Sequence, residues 1–203
     1  MGDFILPPEA GILVGNASGA MMHVILEIHL DNPQSATGQV SNMGFQAFYV
    51  NTRRAHDAGM MIVGDPAVHL SKISAPSAYQ GALPKETAQI HRQGTCPGTC
   101  TSSLSQPISV FASFLHMHHY GQKIYTEIWS NDSTPILRST PNRIDFWDNG
   151  FQSVQPVDPF VIYPGETLQH HCWYNTAAYS ATPSVAFSTP TSAEMCQNFM
   201  VSD

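Results

Sequence analysis

Charge is scarce in this sequence: Asp, Glu, Lys and Arg together make up 11% of its 203 residues, against about a quarter in ordinary soluble domains. The few basic residues are scattered, no basic run occurs and the net charge is −7, which excludes nucleic acid as the expected partner. No apolar stretch has the length of a membrane-spanning helix, so direct membrane insertion is not expected. The N-terminus, Met1-Gly-Asp-Phe4, lacks the basic-then-apolar pattern of a secretory signal. Convincing amphipathic helices are missing too, because 15 prolines and 14 glycines interrupt the chain throughout. Internal repeats and low-complexity tracts are absent.

What is there is a core and a strand pattern. Hydrophobic residues make up 42%, enough to exclude a disordered chain. Short alternating runs bounded by turn residues read as strands over 23–30, 43–50, 108–118, 122–129, 161–163 and 168–174. Asp31-Asn-Pro33, Tyr120-Gly121 and Pro164-Gly165 stop or turn them. The expected fold class is therefore all-β, a jelly-roll-like β-sandwich. A change of domain is expected near Arg53-Arg-Ala-His56, where the strand run breaks and Gly59-Met-Met-Ile-Val63 begins. Residues 1–55 then form the last strands of one domain, and residues 56–203 a second domain, complete or nearly so.

Cys96, Cys100, Cys172 and Cys196 form an even set. Cys96-Pro-Gly-Thr-Cys100 has the look of a metal knuckle, but its three-residue gap and the lack of a second such pair favour disulfides over zinc. Two Asn-x-Ser acceptors, at Asn16 and Asn131, fit the same oxidising compartment as glycosylation sites. The expected location is secreted, extracellular or in a secretory-vesicle lumen, with the chain a mature form or a piece of something longer.

The sharpest local motif is Leu115-His-Met-His-His119. On a strand, residues two apart share a face, so His116 and His118 present two imidazoles side by side while Met117 and His119 point the other way. Ten histidines in the chain leave room for the plainer reading that these are surface or core histidines. Met195, beside Cys196, is a candidate third ligand, and two imidazoles with a thioether would favour copper. The competing reading makes Met195 core filler, as most methionines are.

The chain resembles the copper type II, ascorbate-dependent monooxygenases, and the dopamine β-monooxygenase branch more than the peptide-amidating branch. The resemblance is carried by Pro7-Pro-Glu-Ala-Gly11, Leu26-Glu-Ile-His-Leu-Asp-Asn-Pro33, Ala58-Gly-Met-Met61 and Lys85-Glu-Thr-Ala88. It continues through Gly94-Thr-Cys-Pro-Gly-Thr-Cys-Thr101, Phe111-Ala-Ser-Phe-Leu-His-Met-His118, Tyr163-Pro-Gly165, Cys172-Trp-Tyr-Asn-Thr176 and Glu194-Met-Cys196. It implies that His116, His118 and Met195 hold the copper that binds oxygen, with ascorbate as reductant. It further implies a Cys172–Cys196 disulfide anchoring the Met195 loop.

In the family the electron-transfer copper uses a histidine pair and a third histidine, which His29 matches. The pair would precede Met1, so His29 is expected to be an orphan ligand unless a partner chain or upstream domain completes the first sandwich. The cysteines that pair with those matched by Cys96 and Cys100 would follow Asp203, leaving these two to bridge each other, stay free or join another chain. Phe114 stands where the amidating branch carries an arginine. Asn198 agrees with the dopamine-type branch, while Phe199 replaces its tyrosine, so a small molecule is expected in this pocket rather than a peptide ending in glycine. The functional expectation is C–H hydroxylation with O2 and ascorbate when the first copper is supplied. Its alternative is a catalytically inactive binding or structural subunit of an extracellular assembly.

Overall fold

The computed structural model describes residues 4–21, 23, 25, 32, 34–40, 42, 44–70, 82–178 and 185–203. They divide into a smaller unit over Leu6–Asp57 and a larger one over Met1–Ile5 and Ala58–Asp203.

In the smaller unit β1 (Ala10–Gly11) pairs in parallel with β2 (His56–Asp57), and a single bridge joins Val14 to Met21. Arg54 donates a hydrogen bond to the Pro8 carbonyl, tying the two ends of the unit together. The strand expected over 23–30 falls largely outside the described residues, and His29 with it. The strand expected over 43–50 does not form at its described residues, 44–50, which are all exposed. Alternation alone does not make a strand: it needs a neighbouring edge to bond and a face to bury.

The larger unit is all-β. Its strands are β3 (Gly59–Gly64), β4 (Ala82–Leu83), β5 (Ile90–Cys96), β6 (Ile108–His116), β7 (Gly121–Trp129), β8 (Leu137–Ile144), β9 (Gln155–Ile162), β10 (Thr167–Tyr174), β11 (Val185–Ala186) and β12 (Gln197–Ser202). Two four-stranded antiparallel sheets result, in the orders β3-β12-β6-β9 and β5-β10-β7-β8. The only helices among the described residues are two single turns, α1 (Ala67–Leu70) and α2 (Gly98–Thr101), and a 3-10 turn at Asn149–Phe151.

The period-2 pattern of the strands builds the core. On β10, Leu168, His170, Cys172 and Tyr174 face inward; on β7, Ile124, Thr126 and Ile128 do. One buried cluster joins Leu115, Ile124, Cys172, Tyr174, Met195 and Cys196, and a second joins Val63, Val110, Ile128, Ile162, Leu168 and Met200. Both draw on the two sheets, which makes the architecture a sandwich. Each fully buried Ile, Leu or Met contributes roughly 1.5–3 kcal/mol.

A chain of paired polar groups runs through the interior, as burial favours, whereas Ser139 Oγ, His171 Nε2 and Trp173 Nε1 are buried without a hydrogen bond. Asn142 donates to Ser113 Oγ (2.6 Å), Ser113 to Asn198 Oδ1 (2.5 Å) and Asn198 to Thr126 Oγ1 (2.9 Å), crossing between the sheets. Glycine is required where backbones meet: a Cβ on Gly94 of β5 would run into the Gly64 carbonyl of β3.

Candidate metal centre

His116 is the last residue of β6, and His118 follows in the turn that leads into β7. Their rings lie together, with centroids 5.0 Å apart and planes nearly perpendicular. Met117 between them is fully buried, whereas His119, expected to share its side, is exposed, because the strand ends at His116 and the chain turns after His118.

Each ring is hydrogen-bonded at Nδ1. His116 Nδ1 donates to Gln152 Oε1 at 2.6 Å, and His118 Nδ1 to the Ala193 carbonyl at 2.8 Å. Gln152 is itself fixed by donating to the Asn149 carbonyl (3.1 Å) and side chain (2.7 Å). An imidazole bound at Nδ1 to an oxygen offers Nε2 to a metal with its orientation already set. Burial, and then the ring of His118, push the His116 imidazole down to about 4 against a weaker upward pull from Gln152. The ring is therefore neutral at neutral pH, the form a metal ligand needs.

Glu194 ties the third residue to this pair. Its buried carboxylate accepts from the main-chain N–H of His118 (3.0 Å), Tyr120 (2.7 Å) and Met195 (3.2 Å). One oxygen, Oε2, takes both the His118 and the Met195 bonds, so the backbones of residues 118 and 195 lie on either side of a single atom. Burial raises the Glu194 carboxyl to about 7, and the three backbone donors oppose that rise. The Met195 carbonyl accepts from Tyr174 Oη at 2.7 Å, and Cys196 is bonded to Cys172. Trp147 Nε1 donates to the His118 carbonyl at 3.1 Å. A Cβ on Gly121 would press on Trp147 and Met117, so a glycine there lets the indole close over the turn.

Phe114 lies two residues before His116 on the same face of β6, and register places Phe199 opposite it and Gln197 opposite His116. The Phe114 ring is 5.3 Å from His116 and 5.7 Å from Phe199. Asn198 is not part of that group. It points to the other face, into the core, where it bonds Ser113 and Thr126. A small cleft adjoins the site, lined by apolar residues such as Leu115, Phe146 and Trp147 and by polar ones such as Asn142, Asp148 and Gln152. Its link to the histidines is Gln152.

The Cys172–Cys196 disulfide is present. Cys96 and Cys100, expected to bridge each other, stay free or join another chain, are free thiols within this chain, and burial together with the Cys100 contact pushes the Cys96 thiol up to about 12. Asn16 and Asn131 are both exposed. The roles of Gln152, Trp147 and Tyr174 leave no mark in the sequence, and that of Glu194 little: a carboxylate set among small and apolar residues beside Met195 and Cys196.

Residues 67–202 match the family described as copper type II ascorbate-dependent monooxygenase, C-terminal domain. Tyramine beta-hydroxylase of Caenorhabditis briggsae is 31% identical over 96% of this chain and 31% of its own length. Dopamine beta-hydroxylase of Canis lupus familiaris is 32% identical over 97% of this chain and 29% of its own. DBH-like monooxygenase protein 1 of Gallus gallus is 27% identical over 98% and 31%. The chain thus spans about a third of the length of these relatives. Its histidine pair and Met195 both lie inside the matched segment, and the chain belongs to the copper type II ascorbate-dependent monooxygenase family, of which it carries the C-terminal domain.

Proposed function

We propose that this domain binds one copper ion through His116, His118 and Met195 and serves C–H hydroxylation. The observation that carries the reading is the Glu194 clamp, which joins the main chains of His118 and Met195 through one buried carboxylate. The donor set fits copper: a thioether suits Cu(I), and imidazole suits both oxidation states. Copper supplies redox chemistry, by which a C–H group, O2, two electrons and two protons become an alcohol and water, with ascorbate as the electron source.

The chain's own residues do the rest. Gln152 and the Ala193 carbonyl orient the two imidazoles, Glu194 and the disulfide fix the Met195 loop, and the Trp147 indole closes one side against water. The adjoining cleft, with Phe146, Phe151 and Asp148 in its lining, suits a small aromatic amine. Phe114 and Phe199 form the apolar surface beside His116. Tyramine and dopamine, named for the relatives, are the first substrates to try. The second electron requires another copper domain, in the same protein or a partner, and His29 belongs to that question. We place the protein in an oxidising, secreted compartment, with glycans on Asn16 and Asn131; the buried disulfide supports this.

Copper titration of the ascorbate-reduced chain, read by X-ray absorption, tests the site. One Cu(I) per chain with sulfur in its first shell is expected, and Met195→Ala loses the sulfur. A shell of nitrogen and oxygen alone would remove Met195 from the site.

A further inference from the structure

His170 has no part in the copper reading, yet it is fully buried in the middle of β10. Its Nδ1 is hydrogen-bonded to Thr126 Oγ1 at 2.9 Å, the end of the polar relay that runs from Asn142 through Ser113 and Asn198. Its Nε2 faces Cys172 Sγ at 3.7 Å. One ring nitrogen of His170 and the sulfurs of Cys172 and Cys196 all lie within 4.8 Å of one another, and all three residues are buried. An imidazole held by a hydrogen bond at one nitrogen, with the other aimed at sulfur, has the arrangement of a metal ligand beside two more.

We propose that Cys172, Cys196 and His170 form a redox-gated site for a soft d10 cation, closed while the disulfide is intact and open once it is reduced. A dithiol reductant delivers two electrons and two protons to the sulfur–sulfur bond, yields the two thiols, and closes to its own disulfide. The cation then displaces the two thiol protons to solvent and takes two thiolates and Nε2. Thiolate with imidazole selects Cu(I), Zn(II) and their congeners over hard ions. The two sulfurs part to the roughly 3.8 Å that thiolates sharing one cation keep, while Thr126 holds the imidazole in place. This site is separate from the His116–His118 pair, which has no thiolate, although both depend on the segment around Met195 and Cys196.

Cadmium(II) is the probe, because its bonds to thiolate give an ultraviolet charge-transfer band that imidazole and thioether do not. The full chain carries Cys96→Ser and Cys100→Ser, so that the remaining thiols are the two in question. After anaerobic reduction with a dithiol, one Cd(II) per chain should bind with the thiolate band, and binding should raise Tm. The same chain with its disulfide intact should show neither effect. His170→Ala in the reduced chain should weaken cadmium by roughly 100-fold while leaving a thiolate band at higher concentration. Three results overturn the proposal: no band after reduction, equal affinity in the His170→Ala chain, or a reduced chain whose near-ultraviolet circular dichroism is lost and not restored by the metal. A reduced fold recovered by cadmium only when His170 is present supports it.

Discussion

The chain carries two histidine pairs whose fates differ because of one residue of spacing. His116 and His118, separated by Met117, put their rings 5.0 Å apart on one side of the β6–β7 turn. His170 and His171 are adjacent on β10 and face opposite ways. His170 lies in the core against Cys172, and His171 stands on the outer face of the sheet between Tyr125 and His91, at centroid distances of 4.7 and 5.1 Å. Adjacent histidines on a strand cannot share a metal; alternate ones can. The pair that looks denser in sequence is therefore the one that separates in space.

The largest expected effect tests that contrast directly. Replacing His116 and His118 by alanine should reduce Cu(I) in the ascorbate-reduced chain from one equivalent to none, whereas His171→Ala should leave the stoichiometry at one. Metal analysis of the two variants side by side decides it. Loss of copper in His171→Ala would break the comparison.

Next in size is Glu194→Ala. Three main-chain N–H groups lose their acceptor, two of them buried and the third half-buried, at about 1–3 kcal/mol each, so a loss of roughly 3 kcal/mol or more is expected in urea unfolding. Glu194→Gln keeps an acceptor oxygen on the same frame and should cost less than half as much. Equal losses would mean that negative charge, rather than acceptor geometry, holds the His118 and Met195 loops together.

Acid acts on the two pairs in the same direction but at different depths. Burial, with His171 beside it, lowers the His170 imidazole to about 3, below its unfolded value of about 6.5. Between those values the unfolded state holds the extra proton, so the contribution of neutral His170 is full above pH 6.5 and declines as pH falls toward 3. His116, lowered to about 4, adds to the same decline. Glu194, raised to about 7, works in the opposite sense: its contribution is full below about 4.5 and declines as pH rises through 7. The measurement that isolates the core histidine is the difference in unfolding free energy between metal-free wild type and His170→Thr at pH 7 and pH 4.5. The wild type should lose roughly 2–3 kcal/mol more across that range than the variant. Parallel curves would place His170 in contact with water.

Much of this was legible in the sequence, for a physical reason. Strands β6, β7 and β10 of the larger unit announced themselves because each has a neighbour to bond and a face to bury, so their alternation matches the structure, whereas β5, β8 and β12 are not among the strands expected from the sequence. Residues 44–50 alternate in the same way and form no strand, since pattern is necessary for a sheet and a partner is what completes it. At the site, the spacing of His116 and His118 carried its own geometry. The side chains that hold the pair did not: Gln152, Trp147 and Glu194 arrive from 29 to 76 residues away. A single polar residue in a loop has no period to reveal its target. Asn198 shows the same limit, because family position alone put it beside Phe199, whereas strand alternation turns it into the core.

The smallest expected effect concerns the outer pair member, His171. Its ring is buried although it sits on the outer face, because His91, Trp173 and Tyr125 stand around it: His91 Nε2 meets His171 Nδ1 at 2.9 Å and stacks on Trp173 at 4.3 Å. On the far side His171 Nε2 is 3.5 Å from Glu127 Oε2. His91 itself is exposed, and an exposed substitution normally changes stability by about 0.5 kcal/mol or less. His91→Ala should cost about 1 kcal/mol, more than that norm, because it leaves a buried ring nitrogen without its partner. His91→Phe keeps the stacking on Trp173 and loses the hydrogen bond, so the gap between the two variants separates ring contact from polar pairing. If both variants match wild type in urea, the outer histidine is held by the sheet alone. His171 would then be a surface residue that the sheet happens to cover, and the two faces of β10 would differ more sharply than their side chains suggest.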